Sequence, residues 1–242
     1  MVIIVFMEKK EKKIDSIVVG GVETNCWLYA LDNTQPGTDG KRPCVVIDPG
    51  EEGEVIAARL TELNWTPRYI LLTHGHFDHL SALPTLLAAC KNAVAGTDTP
   101  LPKIGIHPGD AHYLGKDALA AHRHSFAAAG SAAYVDALWQ PLPDADILFA
   151  EGDSVGPFTV LHVPGHTGGS VCLYDEAAGI LFTGDTLFQG SYGRTDLPGG
   201  NWDQLRQSLK RVLAMKGETI VCAGHGDPTT IKEEARTLLE LN

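Results

Sequence analysis

The stretch Arg68-Tyr69-Ile70-Leu71-Leu72-Thr73-His74-Gly75-His76-Phe77-Asp78-His79 decides how the rest of the chain is read. Its first half is a compact apolar run, the pattern of a strand buried on both faces. Its second half packs three imidazoles and a carboxylate into six residues. Alternation along extended backbone sends His74 and His76 the same way, while Asp78 and His79 turn toward a neighbouring point. Imidazole nitrogen and carboxylate oxygen suit zinc, iron or manganese. A lone histidine is ordinarily packed or solvated. Three with an aspartate at a strand end point to metal binding or catalysis.

Upstream, short β-type runs cover 14–19, 25–31 and 43–48, with loop chemistry at 33–41 carried by Pro36, Gly37 and Gly40. Val55, Ile56, Leu60 and Leu63 recur at helical spacing over 53–64, with Arg59 and Glu62 between them. A second helix follows His79 with Leu80, Leu83, Leu86, Leu87 and Cys90 inward; Pro84 is tolerated because it lies near the first turn. Residues 91–150 read as an insertion covering the active-site face. They are rich in Pro and Gly over 96–110, rich in Ala and helical over 111–129, and too poor in large apolar residues for a core of their own.

Strand signals resume in a hairpin at 151–157, then at 158–163, 171–174 and 180–183. A helix starts near Asn201, buries Trp202, Leu205, Leu209, Val212 and Leu213, and is closed by Gly217. A strand at 219–223 precedes a last helix opened by the capping box Thr230-Ile231-Lys232-Glu233. The runs near 70–73, 159–163, 180–183 and 219–223 all lead into a turn bearing His or Asp. A sheet edge that collects one site produces that recurrence.

Three later residues complete the set. His166 lies in the turn Val163-Pro164-Gly165-His166-Thr167-Gly168-Gly169, Asp185 follows a strand in Thr183-Gly184-Asp185-Thr186, and His225 sits between Gly224 and Gly226. Five histidines and two aspartates are too many for one tetrahedral ion. Two metals about 3.5–4 Å apart, bridged by one carboxylate, accommodate all seven.

This pattern, HxHxDH followed by His166, Asp185 and His225, resembles the metallo-β-lactamase superfamily. Asn25-Cys26, the turn Asp48-Pro49-Gly50 and the segment Gly193-Arg194-Thr195-Asp196 narrow the resemblance to short glyoxalase II-like (hydroxyacylglutathione hydrolase-like) hydrolases. The resemblance covers nearly the whole chain outside 91–150. It implies a single domain over 1–242 with an α/β (α+β) fold, a four-layer αββα sandwich with metals at one edge of the two sheets. It also implies that His74, His76 and His166 hold one divalent ion, that Asp78, His79 and His225 hold a second, and that Asp185 bridges them. Zinc is the expected metal, with iron and manganese as alternatives.

The implied chemistry is attack of a metal-bridged hydroxide on a thioester carbonyl, with Asp78 and Asp185 as the catalytic carboxylates. A thiol, with a pKa near about 8.5, leaves as thiolate without a strong general acid; an amide nitrogen does not. The substrate implied is an S-acyl-glutathione or another small acyl-thiol, met by Arg194 and Tyr192. Arg194 matches the family's basic position, but Asp196 stands where the glutathione-binding enzymes carry a tyrosine. The chain runs 17 residues past His225, so a glutathione-binding C-terminal domain is not expected. Arg194 and Asp196 can equally form a structural pair. The competing activities are an iron-dependent persulfide dioxygenase using His74, His76, His166 and Asp185, and another superfamily hydrolase such as a lactonase or phosphodiesterase.

The formal charge is −11, from 30 acidic against 19 basic residues, which argues against a nucleic-acid or anionic-membrane surface. The one basic cluster, Lys9-Lys10-Glu11-Lys12-Lys13, is short and mixed with acid. Five cysteines, odd in number and without a CxxC pair, fit a reducing cytosol. Residues 1–7 are too short for a signal-peptide core, and no run approaches the ~18 residues of a membrane span. A soluble cytoplasmic protein is expected. Among the other histidines, His107 joins Asp110 in a supporting loop, His122 and His124 face solvent, and His162 is packed within a strand.

Overall fold

From Cys26 to Leu31 the side chains alternate between two separate cores. Cys26, Leu28 and Ala30 enter one, while Trp27, Tyr29 and Leu31 enter the other. A strand buried along its whole length in this way needs a layer on each face, and the computed structural model, which describes residues 13–31 and 39–238, supplies both.

The first sheet runs in the order β1 (Ile14–Val19), β2 (Thr24–Ala30), β3 (Arg42–Ile47), β4 (Trp65–Leu71), β5 (Lys103–Ile106), β6 (Ile147–Leu148). Its first three strands are antiparallel and the rest pair in parallel. The second sheet comprises β7 (Ser154–Val155), β8 (Phe158–His162), β9 (Val171–Asp175) and β10 (Ile180–Gly184), then β13 (Ile220–Ala223) and β14 (Thr229–Thr230). A small hairpin, β11 (Leu187–Phe188) and β12 (Ser191–Tyr192), stands apart. The two sheets close on each other through Trp27, Tyr29, Val45, Ile47, Phe158, Val160, Leu173 and Phe182. Here the rings of Tyr29, Phe158 and Phe182 meet at 5.1–5.7 Å between centroids, the tilted and edge-on contacts that aromatic quadrupoles favour.

Helices α1 (Gly53–Glu62), α2 (Leu83–Ala93), α3 (Leu119–Ala128) and α4 (Ala132–Leu138) cover the outside of the first sheet. Helices α5 (Trp202–Leu213) and α6 (Ile231–Thr237) cover the second. The result is the four-layer αββα sandwich that the resemblance implied. Asn201 opens α5, its side chain accepting the Gln204 N–H, and Thr230 opens α6 by accepting the Glu233 N–H.

Several expectations need correction. Residues 91–150 do not lie wholly outside the sheets: β5 and β6 extend the first sheet beyond β4. The helix expected over 111–129 divides into a 3-10 turn, Pro108–Tyr113, and α3. Helix α5 ends at Leu213 with Ala214 as its cap, and Gly217 lies beyond it without a left-handed backbone. The strand of the opening motif runs Trp65–Leu71, earlier than expected. Pro36, Gly37 and the lysines at 9–12 fall outside the described residues. No described helix is long and apolar enough to cross a membrane.

Candidate metal centre

Strands β4, β8, β10 and β13 all end at one edge: β10 runs parallel to β13, β8 and β10 both pair antiparallel with β9, and the chain just after β4 bonds to the start of β9. The sheets are tied together there: Asn25 N–H donates to Gly224 O (2.7 Å), Val171 N–H to Thr73 O (2.8 Å) and the Trp27 indole to Ala223 O (3.0 Å). The Asn25 amide adds bonds to Ala223 O and Gly226 O, which hold the His225 turn in place.

Two groups of side chains converge on this edge. In each of the sets His74, His76, His166 and Asp78, His79, His225, the candidate ligand atoms lie within 4.8 Å of one another. Asp185 stands between the sets. Its carboxylate is 3.3 Å from His79 Nε2, 3.6 Å from His166 Nε2 and 3.6 Å from His225 Nε2. Only glycine fits opposite, since a Cβ at Gly224 would lie 2.4 Å from Asp185 Oδ1.

Neighbouring groups fix which nitrogen each ring presents. His166 Nδ1 donates to Arg194 O (2.8 Å), which leaves the Nε2 lone pair 2.8 Å from His76 Nδ1. His79 Nδ1 donates to Asp48 Oδ2 (3.1 Å), so its Nε2 faces Asp78 (3.4 Å) and His225 (3.3 Å). Asp48 itself is 1% exposed and holds a left-handed backbone, φ +52°, at the end of β3. It also accepts the Thr73 N–H (2.8 Å) and hydroxyl (2.6 Å), so it supports the cluster from behind although it sits near His74 and His79.

The donor set fits bound cations. His74 Nε2 and Asp185 Oδ1 are buried and have no hydrogen-bond partner, and two imidazole nitrogens face each other at 2.8 Å. Burial, reinforced by the neighbouring imidazoles, pushes His74 well below the ordinary histidine range, and burial takes His76 down to about 3, so both are neutral ligands. Burial alone would raise Asp78 and Asp185, but His79 and the other imidazoles around them together outweigh it and hold both ionised. His79 in turn is held well above its usual value by Asp185 and Asp78, against its burial. A buried cluster that combines two neutral imidazoles with ionised carboxylates, at which further imidazoles converge, is a cation site.

The family model described as the metallo-beta-lactamase superfamily matches residues 19–225. The chain belongs to the metallo-β-lactamase superfamily. Within it, hydroxyacylglutathione hydrolase GloC of Haemophilus influenzae is 31% identical over 230 residues, spanning 95% of this chain and 98% of the relative. The solved structure of TTHA1623 in a di-iron-bound form is 34% identical, with a TM-score of 0.72 over 92% of this chain and 98% of that one. BLEG-1, a B3 metallo-β-lactamase, is 31% identical with a TM-score of 0.72, covering 92% and 96%. The protein is thus a superfamily hydrolase with a candidate His/Asp metal centre.

The other sequence-derived candidates divide. Arg194 lies beside the centre through its backbone, but its guanidinium forms a two-pronged pair with Asp196, both bonds 2.7 Å. Tyr192 packs against Trp202 at 5.2 Å. His107 and His162 stack on each other at 4.1 Å, away from the ligand set. His124 is exposed as expected. His122 is not: it is fully buried against Phe77, Tyr113 and Trp139, and its Nε2 donates to Tyr113 O (2.8 Å). Sequence reasoning gave no role to Asp48 or Thr73. The available signal was position, for each closes a strand next to the motif.

Proposed function

We propose that this protein is a binuclear metal-dependent thioester hydrolase of the glyoxalase II-like type. The observation that carries the reading is Asp185, whose two oxygens reach imidazoles of both ligand sets. His74, His76 and His166 would hold one ion, Asp78, His79 and His225 the other, and Asp185 would bridge them. Zinc is the proposed metal; the di-iron form of TTHA1623 makes iron the principal alternative. When bound, two such cations supply Lewis acidity to a carbonyl oxygen and acidify water near neutral pH.

The chain's own residues argue for the leaving group. Asp78 and Asp185 are held ionised, so neither has a proton to give at neutral pH. A leaving group that departs as an anion suits such a site, and a thiolate with a conjugate pKa of about 8.5 does so. The name of the GloC relative supports the same class. Arg194 is already paired with Asp196, so a substrate carboxylate would have to displace that aspartate. A small acyl-thiol is therefore favoured over one recognised through glutathione carboxylates. Tyr192 and Trp202 offer it an aromatic wall. The acidic balance of the chain and its five buried free cysteines support a small-molecule substrate in a reducing, cytoplasmic setting, with no nucleic acid or membrane involved.

The test is a panel of substrates offered to metal-replete protein: S-acyl-glutathiones, smaller acyl-thiols, a β-lactam, a lactone, a phosphodiester and a persulfide. Thioester hydrolysis should exceed every other activity. A preparation that turns over no thioester overturns the reading, and persulfide-dependent oxygen uptake would replace it with dioxygenase chemistry.

A further inference from the structure

We propose that Asp110 is a positioning residue that assembles the His74/His76/His166 half of the centre and sets its metal affinity independently of the other half. The proposal rests on the two-metal reading above. Asp110 sits on the 3-10 turn Pro108–Tyr113 and is 1% exposed. Its Oδ2 accepts the Gly75 N–H (2.8 Å) and the Thr167 hydroxyl (2.7 Å), and its Oδ1 accepts the Gly169 N–H (2.8 Å). Gly75 lies between His74 and His76, and Thr167 follows His166. One carboxylate therefore fastens the two turns that bring all three imidazoles from opposite sheets.

Both turns come so close that only glycine fits. A Cβ at Gly75 would lie 2.2 Å from the Tyr113 ring, and one at Gly169 would lie 2.6 Å from the Asp110 carboxyl. The Tyr113 ring also packs edge-on against His76. Thr167 is locked further by Ser170, whose Oγ accepts its N–H (3.0 Å). The second half of the centre is held by other groups. Asp48 orients His79, Thr24 donates to Asp78, and Asn25 holds the His225 turn. A carboxylate has acceptors enough for three convergent donors. Asparagine has the same shape, but its amide nitrogen would face an N–H and leave that donor buried and unpaired.

The experiment titrates Zn2+ into metal-free protein by chelator competition and follows unfolding of the same metal-free samples. Wild type should bind two ions, and Asp110→Asn should keep one at wild-type affinity while weakening the other about 10- to 100-fold, the range found when a group behind a ligand is removed. Paired backgrounds identify the half. With Asp78→Ala, Asp110→Asn should weaken the remaining site; with His166→Ala, it should change nothing. Thr167→Val, which removes one of the three bonds, should give a smaller loss on the same half and serves if Asp110→Asn does not fold. Equal weakening of both sites, or none in folded protein, overturns the role of Asp110. Wild-type protein that binds a single ion overturns the two-metal reading itself, whatever the thioester assay returns.

Discussion

His122 separates what a residue's neighbours in sequence say from what its neighbours in space do. It lies in a helix of Leu119-Ala120-Ala121-His122-Arg123-His124-Ser125-Phe126, where Leu119 and Phe126 are too few among alanines and polar residues to make a strong apolar stripe. Packed among Phe77, Tyr113 and Trp139, it is pushed by burial down to about 4 and stays neutral at neutral pH. In the unfolded chain it titrates near about 6.5, so as pH falls the unfolded state takes the proton first. Stability is therefore lost as pH drops from about 6.5 to about 4, by on the order of 3 kcal/mol from this residue. Urea unfolding of metal-free wild type and His122→Gln across that range should show their stability difference shrinking by that amount in acid. A constant difference would mean that His122 does not stay neutral. By contrast, all seven sequence-derived ligands lie together on one edge of the sandwich, because imidazoles and carboxylates clustered at strand ends carry their own chemical signature.

At the scale of elements, long amphipathic segments were legible and short ones were not, although Trp202, expected inward at the start of α5, is 40% exposed. Helix α5 alternates Leu205, Leu209, Val212 and Leu213 with charged residues, and its start at Asn201 has a physical marker in the cap. Asn201 also donates its N–H to Gly165 O, in the turn that carries His166. Asn201→Ala should cost about 1 kcal/mol, typical of a lost N-cap, read as a lower urea midpoint with unchanged slope. Strand β5, Lys103-Ile104-Gly105-Ile106, escaped notice because four residues flanked by Pro102 and Pro108 carry no period of their own. It exists because β4 offers a parallel partner and because Gly105 leaves room for Phe149, whose ring a Cβ would meet at 2.8 Å. The end of α5 was misread for a related reason. A glycine downstream is a plausible stop, but the helix yields at Ala214, where the chain turns toward β13.

Across the whole molecule, the centre is also a fastening between the sheets. Residues 74–79 come from the first sheet, while His166, Asp185 and His225 come from the second. Each bound ion should therefore stabilise the sandwich by mass action, about 4 kcal/mol at a thousandfold excess over Kd. For a chain of this size that corresponds to about 8–16 °C in melting temperature. Chelator treatment should lower the melting temperature by that order and Zn2+ should restore it. An unchanged melting temperature would show that the edge is held by the Asn25, Thr73 and Trp27 hydrogen bonds alone.

The sequence by itself determined the candidate ligand cluster and the strand ends that carry it, since clustered imidazoles are a local property of the chain, and its resemblance to the superfamily implied the four-layer class. Tertiary structure alone decided the rest. It made Asp48 a support, gave Asp110 its three donors, turned His122 inward, drew residues 103–106 and 147–148 into the first sheet, and chose between the two readings of Arg194 by pairing it with Asp196. Each of these depends on a partner distant in the sequence or on the packing of a neighbouring layer, and no local pattern encodes where a buried carboxylate will find its donors.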